Sequence, residues 1–353
     1  MTERSYKKPE IFELKTAGGI TVYRLAIETF TNHVNNLYLI LDHKHVTLVD
    51  VGSPLPQTTE GFLEALDLLR EKFGRKVKPH EIQHVVITHG HLDHYGNIAY
   101  FRENTKAKIY VHEYDTKVLS SFEERLILTS KDIQIFLERS GANAETVEEL
   151  MTLYGHYKAL YSSNPIDTVM KDHDEIINGY EVIHTPGHCP GEICLRVDNF
   201  LITGDHILPG ITPHQSPASI VLFCGLDNYL NSLMRVRKEK GIDRVLPGHG
   251  NDFEGLQKRI DEIVDFHYGR LLKVLEICRE SKTIAEISKA LFGTLQGYNR
   301  LLGLQEAGAH VEYLWERGAL RVKNVEEIAD HPNPVYRYVR GSEAILKQLN
   351  LSA

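Results

Sequence analysis

Thr88-His89-Gly90-His91-Leu92-Asp93-His94-Tyr95-Gly96-Asn97 carries four metal-competent side chains within six residues, directly after the apolar run His84-Val85-Val86-Ile87. That run reads as a buried strand. In an extended segment side chains alternate, so residues 89, 91 and 93 point to one side. If the chain turns into a helix after Asp93, His94 approaches from a slightly different direction. Gly90 and Gly96 let the backbone bend closely around whatever is bound. Imidazole and carboxylate donors without thiolate suit zinc, manganese or iron(II) better than a Cys-rich structural zinc site.

Three further segments repeat the order of strand end, glycine, and His or Asp. They are Thr185-Pro186-Gly187-His188, Ile202-Thr203-Gly204-Asp205 and Leu246-Pro247-Gly248-His249. Each sets one donor on a tight turn at a strand end, which is how a rigid sheet presents groups to a shared cleft. The candidates are therefore His89, His91, Asp93, His94, His188, Asp205 and His249. One tetrahedral metal would leave about three of them unused. Two metals sharing a carboxylate would use all of them and leave room for a bridging water.

Outward from these turns the chain reads as α/β. Short strands are expected over residues 19–25, 37–41, 46–50, 84–88, 106–111, 180–184, 193–197, 200–203 and 243–246, with helices over 60–73 and 228–240. Residues 113–172 break the strand rhythm and read as a helical insertion. Past Asp252 the character changes: helices over 271–279, 283–291 and 301–317 precede two short strands, 319–322 and 335–339, a winged-helix-like order. The expected domains are an α/β core over 1–265, with its insertion, and a winged-helix-like domain over 266–353.

Composition excludes several classes. At 353 residues the chain can bury a full core without staples. Its 40 Lys+Arg against 48 Asp+Glu give a net charge of −8, which argues against a protein that mainly grips nucleic acid. The tail from residue 266 holds 12 Lys+Arg and 10 Asp+Glu, a net of +2 that leaves −10 for the rest, and shows no basic cluster. Four cysteines, none in a C-x-x-C pair, fit neither a Cys-type zinc site nor a disulfide scaffold. They read as buried small hydrophobes, with Cys189 alone placed to touch the metal region. No apolar stretch approaches a spanning length, and the first 15 residues lack a signal-peptide core, so a cytoplasmic protein without membrane partners is expected.

Of the 19 histidines, His84, His112, His173 and His184 read as packing or strand-edge residues, and His206 and His214 stand beside the ligand loops. Tyr95 could reach a substrate oxygen, and Tyr154, His156, Tyr157 and Tyr161 could cap the cleft or simply pack between helices.

His89-x-His91-x-Asp93-His94, followed in order by His188, Asp205 and His249, resembles the metallo-β-lactamase superfamily over roughly residues 10–265. The resemblance implies an αβ/βα sandwich with metals at one edge of two packed sheets. It implies that His89, His91 and His188 bind a first divalent ion and Asp93, His94 and His249 a second, with Asp205 bridging. Asp50 matches the family's early aspartate, which braces the ligand loop. Two divalent ions, zinc or else manganese or iron, would keep a net charge of about +2 beside Asp93 and Asp205, enough to deprotonate a bridging water near neutral pH. That hydroxide would attack, and Asp93 would orient it or pass a proton to the leaving group.

Departures narrow the branch. His91 stands where flavodiiron reductases typically have Glu, and Asp205 where zinc β-lactamases place Cys. Gly248-His249-Gly250 lacks the glutamate usual in glyoxalase II. The combination is similar to the winged-helix-bearing, endoribonuclease-like and glyoxalase II-related metallo-hydrolases. A thioester, ester or lactone is the expected small-molecule substrate. The alternatives are a phosphodiesterase or endoribonuclease of the same fold, or a non-catalytic binding or sensing module. The tail would serve packing or a homodimer in preference to nucleic acid.

Overall fold

The computed structural model describes residues 6–160, 162–331 and 334–348. Two compact units emerge. One comprises Met1–Glu123, Tyr161–Pro213 and Ser232–Ile260; the other comprises Glu124–Leu160, His214–Asn231 and Asp261–Ala353.

The first unit begins with strands β1 (Glu10–Lys15), β2 (Thr21–Phe30), β3 (His33–Leu41) and β4 (Val46–Val49). Along β3 and β4, neighbouring side chains alternate between two cores, as the pleat requires. Tyr38, Ile40 and Val49 enter one, while Leu37, Leu39 and Leu48 enter the other. Helix α1 (Pro56–Phe73) opens on a proline, whose fixed φ suits the first helical position, and closes on Gly74 at φ 64°, which donates to Arg70 O. Its Phe62, Ala65, Leu66 and Leu69 fill the second core. Each fully buried Leu or Phe there contributes about 1.5–3 kcal/mol.

The chain continues through β5 (His84–Val86), the short helix α2 (Leu92–Tyr95), α3 (Ile98–Asn104) and β6 (Lys108–His112). Helices α4 (Thr116–Ser120), α5 (Phe122–Arg139) and α6 (Ala144–Lys158) follow, and then β7 (Thr168–Met170). β7 lies inside the stretch expected to be helical, and it pairs parallel to β6. Three residues are too few to show a period in sequence. β1 to β7 lie side by side in chain order in a seven-stranded sheet, antiparallel up to β4 and parallel beyond it.

The second sheet has the order β12-β11-β10-β9-β8, from β8 (Glu175–Ile176), β9 (Tyr180–His184), β10 (Ile193–Val197), β11 (Phe200–Gly204) and β12 (Arg244–Pro247). Its Val182, Ile193, Leu195, Ile202 and Leu246 share a core with Tyr38, Ile40 and Val49 of the first sheet. The first sheet is thus covered by the second on one face and by α1 and α3 on the other. Two packed sheets with helices on the outer face of the first form the core of the expected sandwich.

Helix α7 (Leu226–Val236) precedes β12, and α8 (Leu256–Ile277) follows it and runs through position 265, where the core was expected to end. The second unit contains α9 (Ile284–Phe292), α10 (Tyr298–Glu316), β13 (Leu320–Val322), α11 (Val325–Ala329), β14 (Tyr338–Arg340) and α12 (Glu343–Gln348). β13 and β14 pair antiparallel. α9 starts on a capping box in which Thr283 and Glu286 satisfy each other's backbone N–H. Among the described residues no helix is long and apolar enough to cross a membrane.

Candidate metal centre

Every predicted donor stands just past the end of a strand or at the start of the helix that follows. β5 runs out into His89 and His91, and α2 carries Asp93 and His94. β9 leads to His188, β11 to Asp205 and β12 to His249. The structure brings all seven together in the first unit, in two groups joined by one carboxylate.

In the first group His91 Nδ1 lies 3.1 Å from His89 Nε2 and 3.0 Å from His188 Nε2. In the second, Asp93 Oδ2 lies 3.6 Å from His94 Nε2 and 3.4 Å from His249 Nε2. Asp205 Oδ1 lies 3.5 Å from His94 Nε2 and 3.4 Å from His249 Nε2, while Asp205 Oδ2 faces His188 Nε2 at 3.8 Å. Bonds of about 2.0–2.2 Å to a tetrahedral ion separate its donors by about 3.3–3.6 Å. The second group has that spacing.

The far nitrogens are committed elsewhere, which selects the tautomer that aims a lone pair inward. His94 Nδ1 lies 2.8 Å from Asp50 Oδ2, and His249 Nδ1 lies 2.9 Å from Val34 O. His89 Nδ1 meets Thr88 Oγ1 at 3.1 Å, and His91 Nε2 meets Cys189 Sγ at 3.3 Å. Asp50, held at φ 60°, also accepts from Thr88 N and Thr88 Oγ1, both at 2.8 Å. It therefore holds the ligand loop and one imidazole at once.

Two observations test whether a cation suits this cage. Asp205 Oδ1 is buried with no hydrogen-bond donor, a costly state for a carboxylate unless a positive charge faces it. At Gly248 a Cβ would come 2.5 Å from Asp205 Oδ1 and 2.8 Å from His94 Cε1, so only glycine leaves the cage its room. The donors present fit divalent ions.

The electrostatics agree. Burial opposes the charge on Asp93, but the imidazoles of His94 and His249 outweigh it and hold its carboxyl well below the usual range. Burial likewise opposes ionisation of Asp205, and His249 and His94 hold it low. Burial also disfavours the cationic forms of His94 and His249, yet the carboxylates raise them to about 9 and about 11. Beneath the cage Glu192, fully buried, accepts from Asp205 N at 2.9 Å; burial and then Asp205 push its carboxyl well above the ordinary value.

Besides Glu192, sequence reasoning missed three residues around the cage. Asp115, fully buried just after β6, accepts from Gly90 N at 2.7 Å and Gly191 N at 3.0 Å, tying the loop of His89 and His91 to that of His188. Asn35 and His33 come from the start of β3. Asn35 Nδ2 lies 3.0 Å from Asp93 Oδ2, and His33 Nε2 lies 3.0 Å from the same oxygen. Asp115 repeats the strand-end acid of the other loops; the other two had no such signal.

Other expectations resolve differently. Tyr95 is buried in the helix-side core with Ile98 and Phe101, so it offers no hydroxyl to a substrate. His112 stacks on His184 at 4.0 Å, and His84 meets Tyr110 Oη at 3.1 Å, both packing roles. His206 is fully buried, and His173 Nε2 lies 3.1 Å from an Arg235 guanidinium nitrogen. His214 belongs to the second unit, with Nε2 3.3 Å from Gln305 Oε1. Tyr154 is buried in that unit; Tyr161 and the Tyr157 side chain lie outside the described residues.

Known proteins place this geometry in a family. The model of the metallo-beta-lactamase superfamily matches residues 31–249, from the turn before β3 to His249. A "Probable metallo-hydrolase" of Methanocaldococcus jannaschii is 29% identical over 217 residues, 61% of this chain and 87% of that protein. An acyl-coenzyme A thioesterase of Gallus gallus is 26% identical over 230 residues, 62% of this chain and 73% of its own length. Among solved structures, a beta-lactamase domain protein from Burkholderia ambifaria has a TM-score of 0.72 at 22% identity, covering 93% of this chain and 94% of that one. A metallo-beta-lactamase family protein from Thermus thermophilus has a TM-score of 0.69 at 24% identity, covering 90% of this chain and 98% of that one. The chain belongs to the metallo-beta-lactamase superfamily and is a metallo-hydrolase of that superfamily.

Proposed function

We propose that this chain is a dinuclear hydrolase of small acyl thioesters. His89, His91 and His188 would hold one divalent ion, Asp93, His94 and His249 a second, and Asp205 would bridge them. The observation that carries this reading is the placement of the Asp205 carboxylate, one oxygen toward each group and one of them buried without a donor. When bound, two such ions supply Lewis acidity, making water a nucleophile near neutral pH and stabilising the oxyanion that develops on the carbonyl.

The protein's own residues supply position. Asp93, His249 and His91 are partly exposed, while His89 and His94 are sealed, so substrate arrives from the side of those three. Asp93 is the carboxylate on that side, placed to orient water and to carry a proton toward the leaving group. Hydrolysis breaks the acyl carbon–sulfur bond, forms a carbon–oxygen bond from water, and leaves a carboxylic acid and a thiol. Thiols ionise near about 8.5, so a thiolate leaves with little help from a general acid. Thioesters therefore ask the least of a site whose imidazoles are committed to cations. Relatives named as thioesterases, from Gallus gallus and Aspergillus fumigatus, support this choice. Residues 266–353 are proposed as a winged-helix-like domain, from their helices and the pairing of β13 with β14.

The test is a hydrolysis panel of an acyl thioester, an ester, a lactone, a phosphodiester and RNA on cation-replete protein. The thioester should turn over fastest, and Asp205→Ala should abolish that turnover. Turnover of the phosphodiester or RNA with an inert thioester would overturn the assignment.

A further inference from the structure

Asn35 sits where a further donor to the second group would sit. Its Nδ2 lies 3.0 Å from Asp93 Oδ2, 3.3 Å from His94 Nε2 and 3.5 Å from His249 Nε2. Those are the same three atoms that, with Asp205 Oδ1, form the second cage. The amide therefore stands within 3.5 Å of all three of these donor atoms, close enough for its end atom to share a cation with them.

The amide's other end decides what Asn35 does there. Asn35 is 1% exposed, and Thr29 Oγ1, itself within 3.4 Å of His33 O, lies 2.5 Å from Asn35 Oδ1. A hydroxyl both donates and accepts. With the amide N–H turned inward, the group donates to Asp93 Oδ2. A cation held by Asp93, His94 and His249 would repel N–H protons that face it. A half-turn of the amide exchanges nitrogen and oxygen at almost no steric cost: the nitrogen then donates to Thr29 Oγ1, which donates to His33 O, and the oxygen faces the ion.

We propose that Asn35 is a fifth donor to the second cation, through its amide oxygen, with His33 positioning Asp93 from outside. This inference rests on the two-cation reading given above. The second site would then hold two imidazoles and three oxygens, against three imidazoles and one oxygen for the first. Carbonyl and carboxylate oxygens suit manganese(II), so the second site tolerates that ion better than a site built of imidazoles.

The test is equilibrium dialysis of the full chain against manganese(II), with bound ions counted by elemental analysis, for wild type, Asn35→Ala and Asn35→Asp. Asn35→Asp keeps an oxygen at that position but has no N–H to donate. Wild type should take up two ions. Asn35→Ala should keep the first and bind the second at least about tenfold more weakly, while Asn35→Asp should hold both. Unchanged second-ion affinity in Asn35→Ala overturns the proposal. So does equal weakness in both variants, because it would assign Asn35 an N–H donor role. Uptake of a single ion by wild type overturns the two-cation reading itself, and is visible before any variant is compared.

Discussion

Replacing Asp115 by alanine tests how the ligand loops are held. The carboxylate is fully buried and accepts from Gly90 N at 2.7 Å and Gly191 N at 3.0 Å. Hydrogen bonds to a charged acceptor are worth about 1.5–3 kcal/mol each, and removing the acceptor strands two buried donors. Asp115→Ala should therefore cost about 3–6 kcal/mol. Asp115→Asn keeps one acceptor oxygen and should cost about half of that. Water has little room to substitute, because Gly191 packs so closely that a Cβ there would lie 2.6 Å from both Asp115 N and Cγ. The assay is urea unfolding of cation-free protein followed by far-UV circular dichroism. With a slope of about 3 kcal/mol/M, the Asp115→Ala midpoint should fall by about 1–2 M. An unchanged midpoint would refute the idea that this carboxylate ties the loops together.

Two further perturbations probe other links. Gly248→Ala drives a Cβ to 2.5 Å from Asp205 Oδ1, so it should weaken cation uptake at the second group at least about tenfold; unchanged uptake after dialysis would show that the cage yields. His267 in the second unit is held down to about 3, first by burial and then by the His310 imidazole, against an ordinary value of 6.5. Its neutral form stabilises the fold fully above pH 6.5, and that contribution is lost as pH falls from there toward about 3. The neutral variant His267→Gln should therefore show a flatter fall of unfolding free energy over that range, and an identical slope in both proteins would remove His267 as a source of acid sensitivity.

The seven candidate donors were legible because each lies on or just after the turn that ends an apolar strand, a local pattern that needs no knowledge of distant contacts. The sheets were legible where Val, Ile and Leu dominate, as in β5 and β10. β3 was read only from Leu37, because His33, Asn35 and Asn36 are poor strand formers and carry no apolar period. Yet those polar residues reach the cage, and Asn36 Nδ2 donates to Pro247 O and Gly250 O beside the last ligand. Asp115 escaped notice because its two partners lie 25 and 76 residues away in sequence. The unit boundaries were hidden for another reason: α8 is one continuous helix whose amphipathic pattern does not record that the chain passes from one unit to the other.

The most direct test of the dinuclear account is the number of divalent ions retained per chain, measured by elemental analysis after dialysis against trace metal. Wild type should retain two and Asp205→Ala at most one, because the bridge supplies a donor to each group. A reproducible single ion in wild type, or two in Asp205→Ala, would contradict the account.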